Sequence, residues 1–172
     1  KAPHLRDLAR NPMQLTILLS LIHLRGQTLP DQRTAMYESY VEVFFNREAE
    51  KTRIVRDYRQ LLIDLHGYLA WKMHSGAEIS GGDGRLSADQ LAGLIKRWLE
   101  RRGHKAAAVE ELFEGVVQRI VAIVSRVEGT FEFEVQPLRE YFAARHLYDS
   151  APYSPPGLPQ RGTKPEILQA LL

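Results

Sequence analysis

The sequence predicts a mainly α fold with one short β-hairpin, and three observations carry that prediction. Almost every segment repeats its apolar residues three and four positions apart, the spacing of one helix face. A single stretch, Phe131, Phe133 and Val135 alternating with Glu132 and Glu134, has the period of two of a strand with one wet face. Proline and glycine stand where such helices would start and stop, as at Pro12, Gly26, Pro30 and Gly103.

The first helix starts near Pro12, whose fixed φ and missing N–H suit a first helical position. Leu15, Leu18, Leu19 and Ile22 form its stripe, widened by Ile17, Leu21 and Leu24, which predicts burial on more than one side. Pro30 opens a second helix to about Lys51, with Met36, Tyr37, Tyr40, Val41, Phe44 and Phe45 on one face. A third, from about Val55 to His74, carries Tyr58, Leu61, Leu62, Leu65, Leu69 and Met73, with Gly76 as its cap. Gly81-Gly82-Asp83-Gly84 reads as a surface turn, because no Gly-x-x-x-x-Gly-Lys-Ser/Thr phosphate loop occurs in the chain.

Ser87-Ala88-Asp89-Gln90 is a capping box, flanked by Leu86 and Leu91 at the positions of a hydrophobic staple. The helix it opens buries Leu91, Leu94, Ile95, Trp98 and Leu99 and ends at Gly103. A fifth helix near Val109 to Val124 has the stripe Leu112, Phe113, Val116, Val117, Ile120, Val121 and Val124. Ser125 to Val127 then pairs across Glu128-Gly129 with the strand from Phe131. Pro137 starts a further helix, Leu138 to about Tyr148. Five of the nine prolines lie between Pro152 and Pro165, which marks a linker, and Thr163-Lys164-Pro165-Glu166 is a second capping-box pattern. Three regions result: a helical subdomain over 1–51, a second subdomain over 52–150 containing the hairpin, and a linker with the start of a further helix over 151–172.

Composition narrows the chemistry. With 23 Lys+Arg against 21 Asp+Glu the net charge is +2, too small by itself to imply nucleic acid or an anionic membrane. Zero cysteines exclude disulfides and thiol catalysis. The apolar run Met13 to Leu24 is interrupted by Gln14, Thr16, Ser20 and His23 and falls short of the about 20 apolar residues of a spanning helix. A cytoplasmic chain is expected. No two of His4, His23, His66, His74, His104 and His146 have the i, i+4 spacing of a helical zinc site, so no metal site is expected. No Gly-x-Ser-x-Gly elbow occurs, and Glu110, Glu111 and Glu114 fall on the polar face of their helix, so the chain is not expected to be catalytic alone.

The basic cluster Lys96, Arg97, Arg101, Arg102 and Lys105 has two readings. Cations in a last turn complement the helix dipole. Helices followed by a two-stranded hairpin are also the order of a winged-helix module, many of which bind DNA. Against DNA, the candidate wing carries Glu128, Glu132 and Glu134, which phosphates repel. A helical scaffold without nucleic acid is a third reading.

Two segments add a resemblance. Leu8-Ala9-Arg10-Asn11-Pro12-Met13-Gln14-Leu15 with Leu29-Pro30-Asp31-Gln32-Arg33-Thr34-Ala35-Met36-Tyr37 resembles the helical subdomain after the nucleotide-binding core of NACHT-type STAND NTPases. Phe131 to Ala144, reading Phe-Glu-Phe-Glu-Val-Gln-Pro-Leu-Arg-Glu-Tyr-Phe-Ala-Ala, resembles the strand-to-helix signature near the end of their winged-helix subdomain. The likeness covers roughly residues 4 to 150.

The resemblance implies a regulatory lid of a signalling ATPase that oligomerises when triggered. It implies that Pro12 contacts the nucleotide base and that Arg139, Glu140, Tyr141 and Phe142 form the run that packs the last helix. Many members have, at the position of Val135, a histidine that reaches the ADP phosphate. Valine cannot donate that hydrogen bond, so the contact is missing here or has moved. The phosphate loop and the Mg²⁺-binding strand have no counterpart in this chain. ATP or ADP with Mg²⁺ is therefore expected only in a longer protein, whose upstream ATPase core and downstream sensor region are the implied partners. Lys1 in place of Met and the uncapped apolar end Ile167 to Leu172 fit such a piece.

Overall fold

A computed structural model describes residues 12–26, 32–103, 123–125, 129–133 and 136–150. The predicted positions Pro30 and Val135, most of the predicted fifth helix and all of 151–172 lie outside the described residues. The described elements are α1 (Pro12–Arg25), α2 (Arg33–Lys51), α3 (Arg53–Asp57), α4 (Arg59–Ser80), β1 (Leu86–Ser87), α5 (Ala88–Arg101), β2 (Ile123–Val124), β3 (Thr130–Phe133) and α6 (Gln136–Ser150). The protein is mainly helical with a small antiparallel sheet.

The stripe read on α2 is the buried one: Met36, Tyr37, Tyr40, Val41 and Phe45 are in the core and Phe44 packs against it. Thr52 and Tyr58 break the run that follows. Thr52 is extended at φ −135°, so α2 ends, and the single turn α3 intervenes before α4 begins. One continuous core joins Leu18 and Leu21 of α1 to residues of α2, α4, α5, the sheet and α6. α4 and α6 are the principal helix pair.

Several expectations are corrected. The helix over 55–74 is not one helix ending at Gly76. α4 runs on to Ser80 and is capped by Gly81, the residue that adopts a left-handed φ of 65°. Gly76 has open space about it and stays helical, while Ala77 beyond it is buried, so the helix continues past a weak helix former. Tyr58 is the break before α4 and is exposed. The nearly all-round apolar α1 is not enclosed: Leu15, Leu19 and Ile22 are 39%, 57% and 39% exposed. α6 begins at Gln136, which makes Pro137 its second residue, where a missing N–H still leaves no helix bond unmade.

The hairpin is also shifted. Its first strand is Ile123–Val124, where the fifth helix was expected to end, and Ser125 lies beyond it. The register sets Ile123 opposite Phe133 and Val124 opposite Glu132. Ile123 and Phe133 are both buried, so this register puts two large apolar side chains on the inner face, which Ser125 could not supply. β3 has a second neighbour that the sequence pattern did not indicate. Leu86 pairs with Phe131 and Ser87 with Thr130, giving a three-stranded sheet in the order β1-β3-β2.

The capping box forms as read. Ser87 Oγ accepts from Gln90 N at 3.2 Å, and Gln90 Oε1 accepts from Ser87 N at 2.8 Å. Ser87 therefore closes both the sheet edge and the start of α5. Ser87→Ala should destabilise the chain by about 1 kcal/mol in urea unfolding, with Ser87→Asn largely retaining stability.

Candidate functional site

The run Arg139-Glu140-Tyr141-Phe142 occupies the first turns of α6, and helical spacing sends its four side chains to four surroundings. Phe142 is in the core. Its ring centroid lies 5.5 Å from that of His66, 6.2 Å from Phe133 and 5.6 Å from Tyr141, so it joins α4, the sheet and its own helix. Tyr141 meets Tyr37 of α2 at 5.6 Å. Burial raises the Tyr141 phenol above its ordinary pKa, although its side-chain hydrogen bond with Arg145 acts in the opposite sense. Glu140 is exposed and accepts from Gln136 Nε2 at 2.8 Å.

Arg139 reaches under the glycine turn. Its Nη1 donates to the Asp83 carbonyl at 3.1 Å. Its Nε is buried with no hydrogen-bond partner. Gly84 has φ +76°, and a Cβ there would fall on the Arg139 guanidinium and lie 3.1 Å from the Met73 carbonyl. The turn read as plain surface is thus a close contact between α6 and the α4–β1 connection. Beside it Arg85 Nε donates to Glu132 at 2.8 Å and Arg85 Nη1 lies 3.1 Å from Asp83, which clamps the same connection to β3. These carboxylates raise the pKa of Arg85, the Glu132 hydrogen bond most.

Pro12 is the first residue of α1 and is exposed; its carbonyl accepts from Thr16 Oγ1 at 2.9 Å. Spacings of three, four and three put Pro12, Leu15, Leu19 and Ile22 on one side of α1. Val135 lies outside the described residues, as does Lys105.

The described residues of the basic cluster have different surroundings. Lys96, Arg97 and Arg101 are exposed on the side of α5 away from the core, and Lys96 Nζ lies 4.0 Å from Glu100. Arg102 is engaged: its guanidinium carbon sits 4.2 Å from the Trp98 ring centroid and its Nη1 bonds Asp64 at 3.0 Å. It fastens the end of α5 to α4.

His66, among the histidines read from sequence as surface or core, is fully buried on α4. Its Nδ1 lies 2.6 Å from the Leu62 carbonyl; a carbonyl only accepts, so Nδ1 carries the proton and Nε2 presents a lone pair. Nε2 is buried without a partner. The ring adjoins a cavity of about 10 Å³ lined by Tyr40, Val41, Phe44, Phe45, Leu138 and Phe142. Burial lowers the His66 pKa to about 4 against the pull of the Leu62 hydrogen bond. Its position in the Leu62, Leu65, Leu69 stripe was the available signal.

Among the described residues, no group of three or more His, Asp or Glu side chains is arranged to hold a metal ion, and no helix is long and apolar enough to cross a membrane. Comparison with protein-family models, curated proteins and solved structures finds no match.

Proposed function

We propose that the chain is the helical and winged-helix part of a NACHT-type signalling ATPase, a nucleotide-responsive lid for triggered oligomerisation. The observation that carries this reading is the ring contact of Tyr37 with Tyr141 at 5.6 Å. These residues belong to the two segments that bear the resemblance, and the fold packs one segment on the other. Supporting it, Pro12 is exposed on the side of α1 where Leu15, Leu19 and Ile22 are also uncovered, a surface on which an ATPase core could rest.

In that protein the upstream core would grip the phosphates and Mg²⁺, and the Pro12 ring, which has no N–H, would pack on the base. A lid responds only through contacts that differ between the ADP and ATP states. Those contacts would fall to Pro12, to the Arg139-to-Phe142 run and to the residues around Val135. The first test is the coding sequence upstream of Lys1, where Gly-x-x-x-x-Gly-Lys-Ser/Thr is expected. In calorimetric titration of the longer protein, Pro12→Ala should weaken ADP and ATP by about tenfold, the scale of losing one or two buried methylene contacts. Unchanged affinity for both, or the lack of a phosphate loop upstream, overturns the reading.

A further inference from the structure

The seam between α4 and α6 has an imidazole built into each side. From α4, His66 lies between the rings of Phe45, centroid 5.9 Å away, and Phe142, 5.5 Å away. From α6, His146 packs edge-on to Tyr68 at 5.9 Å, and its Cβ lies so close to Gly67 that a Cβ there would be 3.2 Å from it. His66 and Gly67 are consecutive, so the two histidines meet the seam within one turn of α4.

We propose that this seam is a proton-sensitive joint, held closed by His66 and His146 while both imidazoles are neutral and opened when they take up protons. The inference stands apart from the nucleotide reading.

The balance of the surroundings favours the neutral form of each ring. Among the described residues lining the cavity, Tyr40 of α2 is the only titratable one besides His66, and α6 contributes Leu138 and Phe142. No carboxylate among those lining residues would neutralise an imidazolium. The cavity has room for about one water, too little to hydrate a cation while the helices stay closed. Around His146 the charged groups are Arg102 of α5, Lys72 and Asp64 of α4, and Asp149 of α6. Burial lowers its pKa first, Arg102 and Lys72 lower it further, and Asp149 and Asp64 oppose them. Charging His66 therefore favours the state in which Leu138 and Phe142 have moved off α4 and water reaches its ring, and charging the partly buried His146 pushes the same way.

The sign follows from proton binding. Each histidine takes up protons more readily in the open state than in the closed one, so closure is fully favoured above pH 6.5 and weakens as pH falls below it. For His66, with a closed-state value of about 4 against 6.5, the opening constant should rise about twentyfold between pH 7 and pH 5. His146 adds to this.

Amide hydrogen exchange of the whole chain, corrected for intrinsic rates, tests the joint at pH 7, 6 and 5. The expected result is a rise of about twentyfold or more in opening across α6, 136–150, with a smaller change across α5, 88–101. The variant His66→Leu with His146→Gln should flatten the α6 response. A wild-type α6 that does not respond to pH overturns the proposal. So does an equal response of α5 and α6, which would be unfolding of the whole chain, and so does an undiminished response in the folded double variant. Should that variant fail to fold, the comparison of α5 with α6 in the wild type decides.

Discussion

Phe142→Ala should destabilise the chain by about 3–5 kcal/mol, the range for emptying a large aromatic site in a core that relaxes only partly. The side chain is 2% exposed, and its ring touches both His66 and the sheet residue Phe133. Its loss opens a space continuous with the small cavity beside His66, so α2, α4, β3 and α6 all lose contacts at once. Urea unfolding measures the effect, and Glu140→Ala is the control: that exposed neighbour should change stability by no more than about 0.5 kcal/mol. A small effect of Phe142→Ala would mean that α6 is held elsewhere.

The second large effect is expected at the glycine turn. Gly81 and Gly84 both have positive φ, 65° and 76°, so alanine at either is strained by about 1–2 kcal/mol. Only Gly84 has a neighbour in the way. Its Cβ would displace the Arg139 guanidinium and with it the bond to the Asp83 carbonyl, a charged-donor hydrogen bond of about 1.5–3 kcal/mol. Gly84→Ala should therefore lose about 2.5–5 kcal/mol and Gly81→Ala about 1–2. In an Arg139→Ala background the gap between them should shrink, since only the Met73 carbonyl, 3.1 Å from the added Cβ, is then left in the way. Equal losses in the wild-type background would show that Arg139 can give way freely.

The helices were legible because each carries its own periodicity. The stripe of α2, the capping box of α5 and the inward Phe142 follow from spacing alone, and packing obeyed them. The misreadings share a different cause, since each depended on a distant partner. Gly76 looks like a helix stop until Ala77 is seen buried beyond it. Leu15, Leu19 and Ile22 satisfy the pattern of an enclosed helix, but periodicity cannot say whether something covers the face. β1 is two residues long, too short to show an alternation, and exists because Phe131 is waiting opposite Leu86. The same holds for the site. Tyr141 and Phe142 were readable as packing residues, whereas the fit of Arg139 over Gly84 and the isolation of His66 arise from pieces of chain dozens of residues apart.

The position of β3 between β1 and β2 bears on the order of assembly. Pairing Val124 with Glu132 joins positions only 8 apart (132 − 124), whereas pairing Leu86 with Phe131 joins positions 45 apart (131 − 86), which costs more chain entropy. A nascent chain can complete α4 and the capped start of α5 well before Phe131 has been synthesised. The β1 edge is then the last part of the sheet to find its neighbour, and refolding probes placed there should lag behind those in the helices.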